Sequence, residues 1–459
     1  MTGIAEKFVE VSTQKSFDLP HRGIINHNIG KYDSAVERGL SRLINLEHAK
    51  KKSHLIKWKV MENLDKILPE FEANFQKRGG KVLWANTIEE AQKEILNIIN
   101  KANAKSVIKS KSMVTEEIHL NEFLEHNQIS SLESDLGEYI VQLLGQKPYH
   151  IVTPAMHLSK ENIADLFHEK FGTPKDATPE QLTMKARELL RDKYLSADVG
   201  ISGANFLIAD TGSIAITENE GNARLTTTFP KIHIAIVGIE KLIPSIADLD
   251  LFWPMLSTHG TGQNLTVYNT ILSGPKQVGE TDGPEEMYVI LLDNGRTDLL
   301  AQKEQRQGLY CIRCGACLNG CPIYKNIGGH AYDTTYSGPI GSIITPHISG
   351  MKEFKHLSYA SSLCGKCTEV CPVKIDIHKM LLFNRRDAVN EQLTTKIERW
   401  GWFFWKRGML KRSYMDKFGG KFKNTILRKF FSKTWGDKRV LPEVAAKSFS
   451  SEWKENHPS

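Results

Sequence analysis

The sequence predicts an α/β domain with a largely parallel sheet, followed by a cysteine-rich module and a basic tail. Three observations predict it. Between residues 81 and 300, short apolar runs alternate with amphipathic helical stretches, the β-α-β-α order that builds a parallel sheet. All seven cysteines fall between Cys311 and Cys371. Residues 391–459 hold 16 lysines and arginines against 7 acidic residues, so the +7 of the whole chain is a near-neutral body with a +9 tail. With 459 residues, 40% of them hydrophobic, the chain suits a globular protein of about three domains. The boundaries expected are a helical segment over 1–78, the α/β domain over 79–300, the cysteine module over 301–390 and the tail over 391–459. The near-neutral body speaks against nucleic acid as a partner.

Taken in order, residues 34–78 read as helix, with Leu40, Leu43, Ile44 and Leu46 at helical spacing and Gly79-Gly80 as the stop. KVLWA (81–85) is strand-like and TIEEAQKEILNIINKA (87–102) helical; SVIKS (106–110) and TEEIHLNEFLEHN (115–127) repeat the pair. QISSLE (128–133) and HIVTP (150–154) continue as strands. NFLIAD, SIAIT, HIAIVG, LTVYNTIL and EMYVILLD then follow closely, which predicts hairpins in the second half of the sheet. The polar stretch 301–310 is a boundary, and part of 338–363 reads as helical. No uncharged apolar run approaches the ~18 residues of a membrane span. The first 30 residues contain no apolar core of a secretory signal, so a cytoplasmic location is expected.

The cysteines carry the chemistry. CIRCGACLNGCP is Cys311-x2-Cys314-x2-Cys317-x3-Cys321-Pro322, the bacterial-ferredoxin run, in which three thiolates cap one cluster and the fourth reaches another. Gly315 permits the tight loop, and Pro322, lacking an N–H, turns the chain away. A zinc site made from two Cys-x2-Cys pairs is the competing use of such thiols. SSLCGKCTEVCP, with Cys364, Cys367, Cys371 and Pro372, matches the last three positions of the same run, and its first position falls on Ser361. Crossed ligation assigns Cys311, Cys314, Cys317 and Cys371 to a four-iron cluster 1. Cluster 2 is left with Cys321, Cys364 and Cys367, which suits a 3Fe-4S cluster or a 4Fe-4S cluster with a non-Cys fourth ligand. Ser361, Ser362 and solvent are candidates for that ligand. His330, His347 and His378 lie nearby in sequence, with ordinary polar roles expected. The layout is similar to the α-helical ferredoxin module of succinate dehydrogenase iron–sulfur subunits. There is no GxGxxG or Walker A pattern, so electrons must pass through partner surfaces.

Three polar stretches of the α/β domain are candidate binding loops. KSKS (Lys109–Ser112) follows a strand and precedes a helix, where an anion is readily held. DTGSIAITENEGNARL (Asp210–Leu225) carries Gly212, Glu218, Glu220, Gly221, Asn222 and Arg224, and STHGTGQN (Ser257–Asn264) is a second Gly-rich loop. Lys109 and Arg224 are the candidates to hold a carboxylate. No catalytic base is identified.

With KSKSMVTEEI, ESDLGEYIVQL, ADTGSIAITENEGNARL, the two cysteine motifs, and IGGHAY and GPIGSIITP between them, the chain resembles the lactate utilisation protein B family over nearly all of residues 20–440. The resemblance implies a LUD domain, similar in fold to the NagB/RpiA/CoA-transferase group, then a two-cluster 4Fe-4S ferredoxin-type module and a family-specific C-terminal region. It implies electron transport in the oxidation of L-lactate to pyruvate in bacteria. The implied partners are a second cysteine-rich iron–sulfur protein and a LUD-only protein. Three readings of function follow: an electron-transfer subunit of a lactate-oxidising complex; a stand-alone oxidoreductase whose LUD domain transforms a small carboxylic or acyl substrate; and a redox sensor using a labile three-Cys cluster. The aromatic, basic tail, with WGWFFWKR at 400–407, is expected to dock a partner or the inner face of an anionic membrane.

Overall fold

A computed structural model describes residues 3–436 and 440–457 and divides into two units, Met1–Asp387 and Ala388–Ser459. The first unit holds ten strands in two sheets. In chain order they are β1 (Lys81–Ala85), β2 (Ser106–Lys109), β3 (Ser130–Glu133), β4 (Val199–Ser202), β5 (Phe206–Ile208), β6 (Ser213–Glu218), β7 (Ile232–Gly238), β8 (Leu242–Ile243), β9 (Tyr268–Leu272) and β10 (Glu286–Leu292). The larger sheet runs β1-β10-β7-β4-β2-β3 and every pairing in it is parallel. The smaller runs β8-β5-β6-β9 and contains the antiparallel pairs β5–β6 and β6–β9. Of the expected hairpins one exists, β5–β6, and it lies in a separate sheet rather than in the second half of the first; β6 and β9 pair antiparallel across a long connection.

The continuous apolar runs of β7 and β10 are what a parallel strand covered on both faces requires. Strand alternation sends Ile234, Ile236, Ile290 and Leu292 to one core, where helix Ile88–Lys101 contributes Ala91, Ile95, Ile98 and Ile99. Thr87 caps that helix by accepting from the Glu90 N–H at 3.3 Å. Ala235, Val237, Val289 and Leu291 face the opposite core, with Phe71 and Phe75 of helix Leu64–Lys77. This second core runs without a break into the cysteine module, where it includes Tyr310, Ile312, Leu318, Tyr324 and Ile343. α/β domain and module thus share one apolar interior.

Several expectations are corrected. Residues 34–78 form not one helix but parts of Leu19–Leu40, Leu46–Glu62 and Leu64–Lys77, interrupted where Asn45 takes a left-handed φ of 57° and at Asn63. The helix expected over 115–127 is two short ones, Met113–Glu117 and Leu120–His126, broken at His119 (φ 50°). HIVTP (150–154) is a turn: the Tyr149 N–H donates to the Pro154 carbonyl at 2.8 Å, and the His150 ring accepts from the Val152 N–H at 3.1 Å.

The second unit contains helices Lys396–Met409, Arg412–Met415, Gly420–Trp435 and Phe449–Asn456. Asn424 closes it by pairing with both backbone groups of Val444, at 3.0 and 2.8 Å. Trp400, Trp402, Phe403, Phe404 and Trp405 are exposed. Tail residues 437–439 and 458–459 lie outside the described residues. No helix among the described residues is long and apolar enough to cross a membrane.

Gly200, in the centre of β4, sits where a Cβ would lie 2.0 Å from the Thr226 carbonyl oxygen. Backbone cannot move aside as a flexible side chain does. Gly200→Ala should destabilise the first unit by about 2–3 kcal/mol, read as a lower urea midpoint at unchanged slope.

Candidate functional site

The two cysteine motifs fold as copies of one loop. In the first, Arg313 (φ 61°) and Gly315 (φ 81°) turn the chain into the short helix Ala316–Asn319; in the second, Leu363 (φ 55°) and Gly365 (φ 80°) lead into Lys366–Glu369. The Arg313 N–H donates to Cys311 Sγ at 3.4 Å, and at the matching place the Leu363 N–H donates to Ser361 Oγ at 3.1 Å. Ser361 thus stands where the first loop has its first thiol. Further N–H groups point at sulfur from Tyr324 to Cys321 (3.5 Å) and from Ile375 to Cys371 (3.3 Å).

The thiols gather in two sets. Burial raises Cys314, and nearby Cys311 and Cys371 raise it further. Burial likewise raises Cys317, followed by Cys311, Cys314 and Cys371, with Cys367 the weakest contributor. Cys371 is pushed up to about 12 by burial, and the thiol acting on it is Cys311. Burial raises Cys321, with Cys364 beside it, and Cys367 to about 11, with Cys321 and Cys364 beside it. Cys364 is exposed and lowered, first by the Lys366 N–H and then by the Ser362 hydroxyl. The donor set fits iron–sulfur ligation: thiols in two groups, with backbone N–H groups aimed at sulfur. Among the described residues no three His, Cys, Asp or Glu side chains are gathered as a single metal ion requires.

A buried ion network fastens this module to the sheet. Arg296, 2% exposed, gives both terminal nitrogens to Glu117 at 2.9 and 2.8 Å and its Nε to Glu240 at 2.6 Å. Glu240, 1% exposed, also meets Arg313 of the first cysteine loop at 3.4 Å, and Glu117 accepts from the Tyr336 hydroxyl at 2.5 Å. The Arg313 guanidinium lies over the Tyr336 ring, 4.4 Å from its centre. Burial alone would raise Glu240; Arg296, Arg313 and Lys241 outweigh it and hold the carboxyl at about 2. None of Glu117, Glu240, Arg296, Lys241 or Arg313 is singled out in the sequence reading. Arg313 alone leaves a trace there, as a long cation inside the ligand loop.

A cavity of about 480 Å³ opens beyond the carboxyl ends of β2, β3, β4 and β7, the expected place for a ligand in an α/β sheet. Lys111, Asp135, Asn205 and Lys241 line it from those ends, Glu218 and Glu220 from the end of β6, and Arg313 and Cys314 from the cysteine loop.

The sequence candidates divide. Ser110, Lys111, Ser112, Glu218, Glu220 and Asn222 reach the cavity. Lys109 does not: it is fully buried, with Glu133 at 2.7 Å and Glu116 at 3.1 Å, and so is not free to hold a carboxylate. Arg224 is exposed and outside the cavity lining. The KSKS helix start offers no anion seat, because Ser112 Oγ already takes the Thr115 N–H. Gly212 and Gly221 also lie outside the lining, Gly212 packing against the backbone of Asn74 and Phe75. Ser257–Asn264 is not simply a loop, since Ser257–Thr261 end helix Leu249–Thr261. Gly260 there lets the Cys314 carbonyl approach; a Cβ would lie 2.9 Å from it. The histidines are engaged in ordinary hydrogen bonds: His330 with the Lys147 carbonyl, His347 with Asn384 and His378 with Thr368.

Glu240→Gln should leave Arg296 and Arg313 without their shared carboxylate and cost about 3–5 kcal/mol, measured by denaturant unfolding. Because the folded pKa lies below the usual 4.5, the wild-type carboxylate's contribution is present above pH 4.5 and lost as pH falls towards about 2. The variant should show a shallower loss of stability across that window.

The family described as LUD domain matches residues 68–292, and the 4Fe-4S dicluster domain matches residues 307–375. Lactate utilization protein B of Bacillus licheniformis is 45% identical over 395 residues, 84% of this chain and 82% of that one. The Bacillus subtilis protein of the same name is 48% identical over 349 residues, 76% and 73% of the two chains. The uncharacterized electron transport protein YkgF of Escherichia coli is 43% identical over 411 residues, 87% and 86%. A solved DUF162 family protein from Deinococcus radiodurans covers 50% of this chain and 98% of its own at 16% identity and a TM-score of 0.26, a likeness too slight to argue from. On the extent and identity of the curated matches, the chain belongs to the lactate utilization protein B family, a LUD domain joined to a 4Fe-4S dicluster domain.

Proposed function

We propose that this protein carries electrons in the oxidation of L-lactate to pyruvate, in a cytoplasmic complex with a second cysteine-rich iron–sulfur protein and a LUD-only protein. The observation that carries the proposal is the arrangement of the two thiol sets. One includes Cys314 in the cavity wall; the other reaches the surface at exposed Cys364. When bound, clusters at these two sets supply one-electron relay between the cavity and a partner. Cys311, Cys314, Cys317 and Cys371 hold the inner 4Fe-4S cluster, and Cys321, Cys364 and Cys367 the outer one. Ser361 is the fourth ligand of the outer cluster; its Oγ accepts from the Leu363 N–H as Cys311 Sγ accepts from the Arg313 N–H in the first loop, and this equivalence supports the assignment. The parallel six-stranded sheet supports a LUD fold similar to the NagB/RpiA/CoA-transferase group, and the short helices around the cysteines support an α-helical ferredoxin module. The cavity beside Cys314 favours a second reading, an oxidoreductase acting alone on a small acid. Turnover of lactate by the purified chain with an artificial acceptor separates the two.

Anaerobically purified protein should contain about eight iron atoms; stoichiometric zinc without iron refutes the proposal. Crossed ligation has a sharper consequence in EPR. Cys321→Ser, in the first motif, should damage the outer cluster, and Cys371→Ser, in the second, the inner one. Cys311→Ser should damage the inner cluster and spare much of the outer one, and Cys364→Ser should do the reverse. Ser361→Ala should convert the outer signal to a three-iron signal on mild air oxidation faster than wild type, and Ser361→Cys should suppress that conversion. Equal rates in all three proteins would exclude Ser361 as a ligand.

The exposed aromatics of helix Lys396–Met409, amid Lys396, Arg399, Lys406 and Arg407, support docking of the tail at an anionic membrane surface. Deletion of 391–459 should abolish sedimentation with vesicles containing anionic lipid while the iron content persists. Wild-type binding should weaken from 50 to 300 mM salt.

A further inference from the structure

Helix Leu46–Glu62 turns lysines inward. Its buried face carries Lys50, Ser53 and Lys57 beside Val60, where an amphipathic helix places apolar residues. Lys50 is 7% exposed and Lys57 1%. Seven residues apart in sequence, they lie two turns apart on one face. Lys50 donates to the Glu369 carbonyl at 3.1 Å, and the ring of His54, between the two lysines, donates to the Val373 carbonyl at 2.9 Å. Those carbonyls stand two residues before and two residues after Cys371. Lys57 continues the row, donating to the Glu240 and Leu242 carbonyls at 2.5 and 3.1 Å. Glu240 meets Arg313, whose backbone N–H donates to Cys311. One helix face thus brackets Cys371 with Lys50 and brings Lys57 within reach of Cys311.

The lysines bring more charge than the neighbouring acids balance. Glu240 acts on Lys57, but it also serves Arg296, Arg313 and Lys241. Glu47, 4.0 Å from Lys50, is exposed and pairs with Lys374 at 2.7 Å. Burial pushes Lys57 down to about 7, against the pull of Glu240 and Cys311. A cluster held by four thiolates is an anion, and reduction adds one more negative charge. Buried cations favour that added charge more than exposed ones do, because little solvent screens them.

The outer set has different cations. Lys366 acts on Cys364 and Lys325 on Cys321. Both reach solvent, and each pairs with an acid at 2.8 Å, Lys366 with Glu369 and Lys325 with Asp33. Hydrogen bonds to sulfur, another lever on potential, occur in both sets, from Arg313 and Ile375 on the inner and from Tyr324 and Lys366 on the outer. Buried charge is what separates the two sets.

We propose that Lys50 and Lys57 give the inner cluster the higher potential, so that a single electron entering the pair rests at Cys311, Cys314, Cys317 and Cys371. No bond forms or breaks; the outer cluster loses one electron as the inner one gains it. Both lysines are positioning residues, acting through the thiolates they face. This rests on the cluster assignment proposed above and adds to it the order of reduction.

An EPR-monitored redox titration of the anaerobically purified full chain, with dithionite as reductant, tests it. The signal that Cys311→Ser removes should appear at the higher potential. Lys50→Gln, which keeps a hydrogen-bond donor without the charge, should lower that potential and leave the outer one in place. Lys50→Arg should keep the wild-type value. Lys57→Met should act in the same direction as Lys50→Gln, while Lys366→Gln should leave the inner potential unchanged. Should Lys57→Met fail to fold, the two Lys50 variants still decide. Reduction of the outer cluster first overturns the proposal. So does Lys50→Gln protein that shows both signals with neither potential moved, or with both moved alike. Iron lost from Lys50→Gln at unchanged potential means that the helix only holds Cys371 in place, and the proposal fails. Wild-type protein without iron refutes the cluster assignment itself, a result distinct from intact signals in the wrong order.

Discussion

The geometry depends on one shared carboxylate, Glu240. It follows β7 in sequence and lies between Arg296, which follows β10, and Arg313, which belongs to the cysteine loop. Arg296 passes the constraint to Glu117, after β2, and Glu117 to Tyr336 of the module. Groups beyond three strands of one sheet are thereby tied to two points of the module, in surroundings nearly without water. Such a network is weak evidence of net stability, because desolvating the charges offsets most of their attraction. Its effect is positional. Each ion accepts a narrow range of partner geometries, so the cysteine loop can sit on the strand ends in few ways.

That explains which parts of the protein are legible from sequence. β1, β2, β7 and β10 announce themselves as apolar runs, and helix Ile88–Lys101 by its period and its threonine cap, because these elements are made by local pattern. β4 is not legible: Val-Gly-Ile-Ser is four residues long, carries a glycine that a neighbouring carbonyl demands, and becomes a central strand only by pairing with β7 and β2. The division into two sheets is likewise a matter of pairing, since β5 and β6 look like any other short strands. At the site, the cysteines are legible because ligand spacing is local. The cavity is legible in part: the three polar stretches each supply lining residues, but Lys241 and Arg313 are not legible as its wall, because they come from a strand end and a ligand loop far apart in sequence and each alone reads as turn or core. Lys109 shows the opposite error: a lysine after a strand suggests an anion site, yet three glutamates surround it in the interior.

The two cysteine loops carry the same backbone turns, yet they lie in different surroundings. The first is packed against helix Leu249–Thr261 through Gly260 and tied to the sheet through Arg313. The second leaves Cys364 at the surface, its thiolate favoured by N–H and hydroxyl donors rather than by burial. Solvent exposure, ligand charge and hydrogen bonds to sulfur are the variables that tune such sites. One loop design placed in two environments therefore yields two unlike sites, and the difference lies mainly in what surrounds each loop.

The meeting of the strand ends with the cysteine loop gives a physical reason for a sheet domain and a cysteine module to share one chain. Strand ends in an α/β sheet deliver polar side chains into a crevice, but by themselves they supply no redox group. Here one wall of the crevice is the cysteine loop, so whatever the strand ends hold must lie against Cys314. On separate chains, the two parts would have to bury Arg296, Glu240 and Arg313 anew at each encounter, desolvating all three every time. On one chain that desolvation happens once, during folding, and the distance between crevice and thiol is set before any ligand arrives. The shared apolar core and the ion network are, in this sense, the means by which the fold holds the crevice and the cysteine loop in fixed contact.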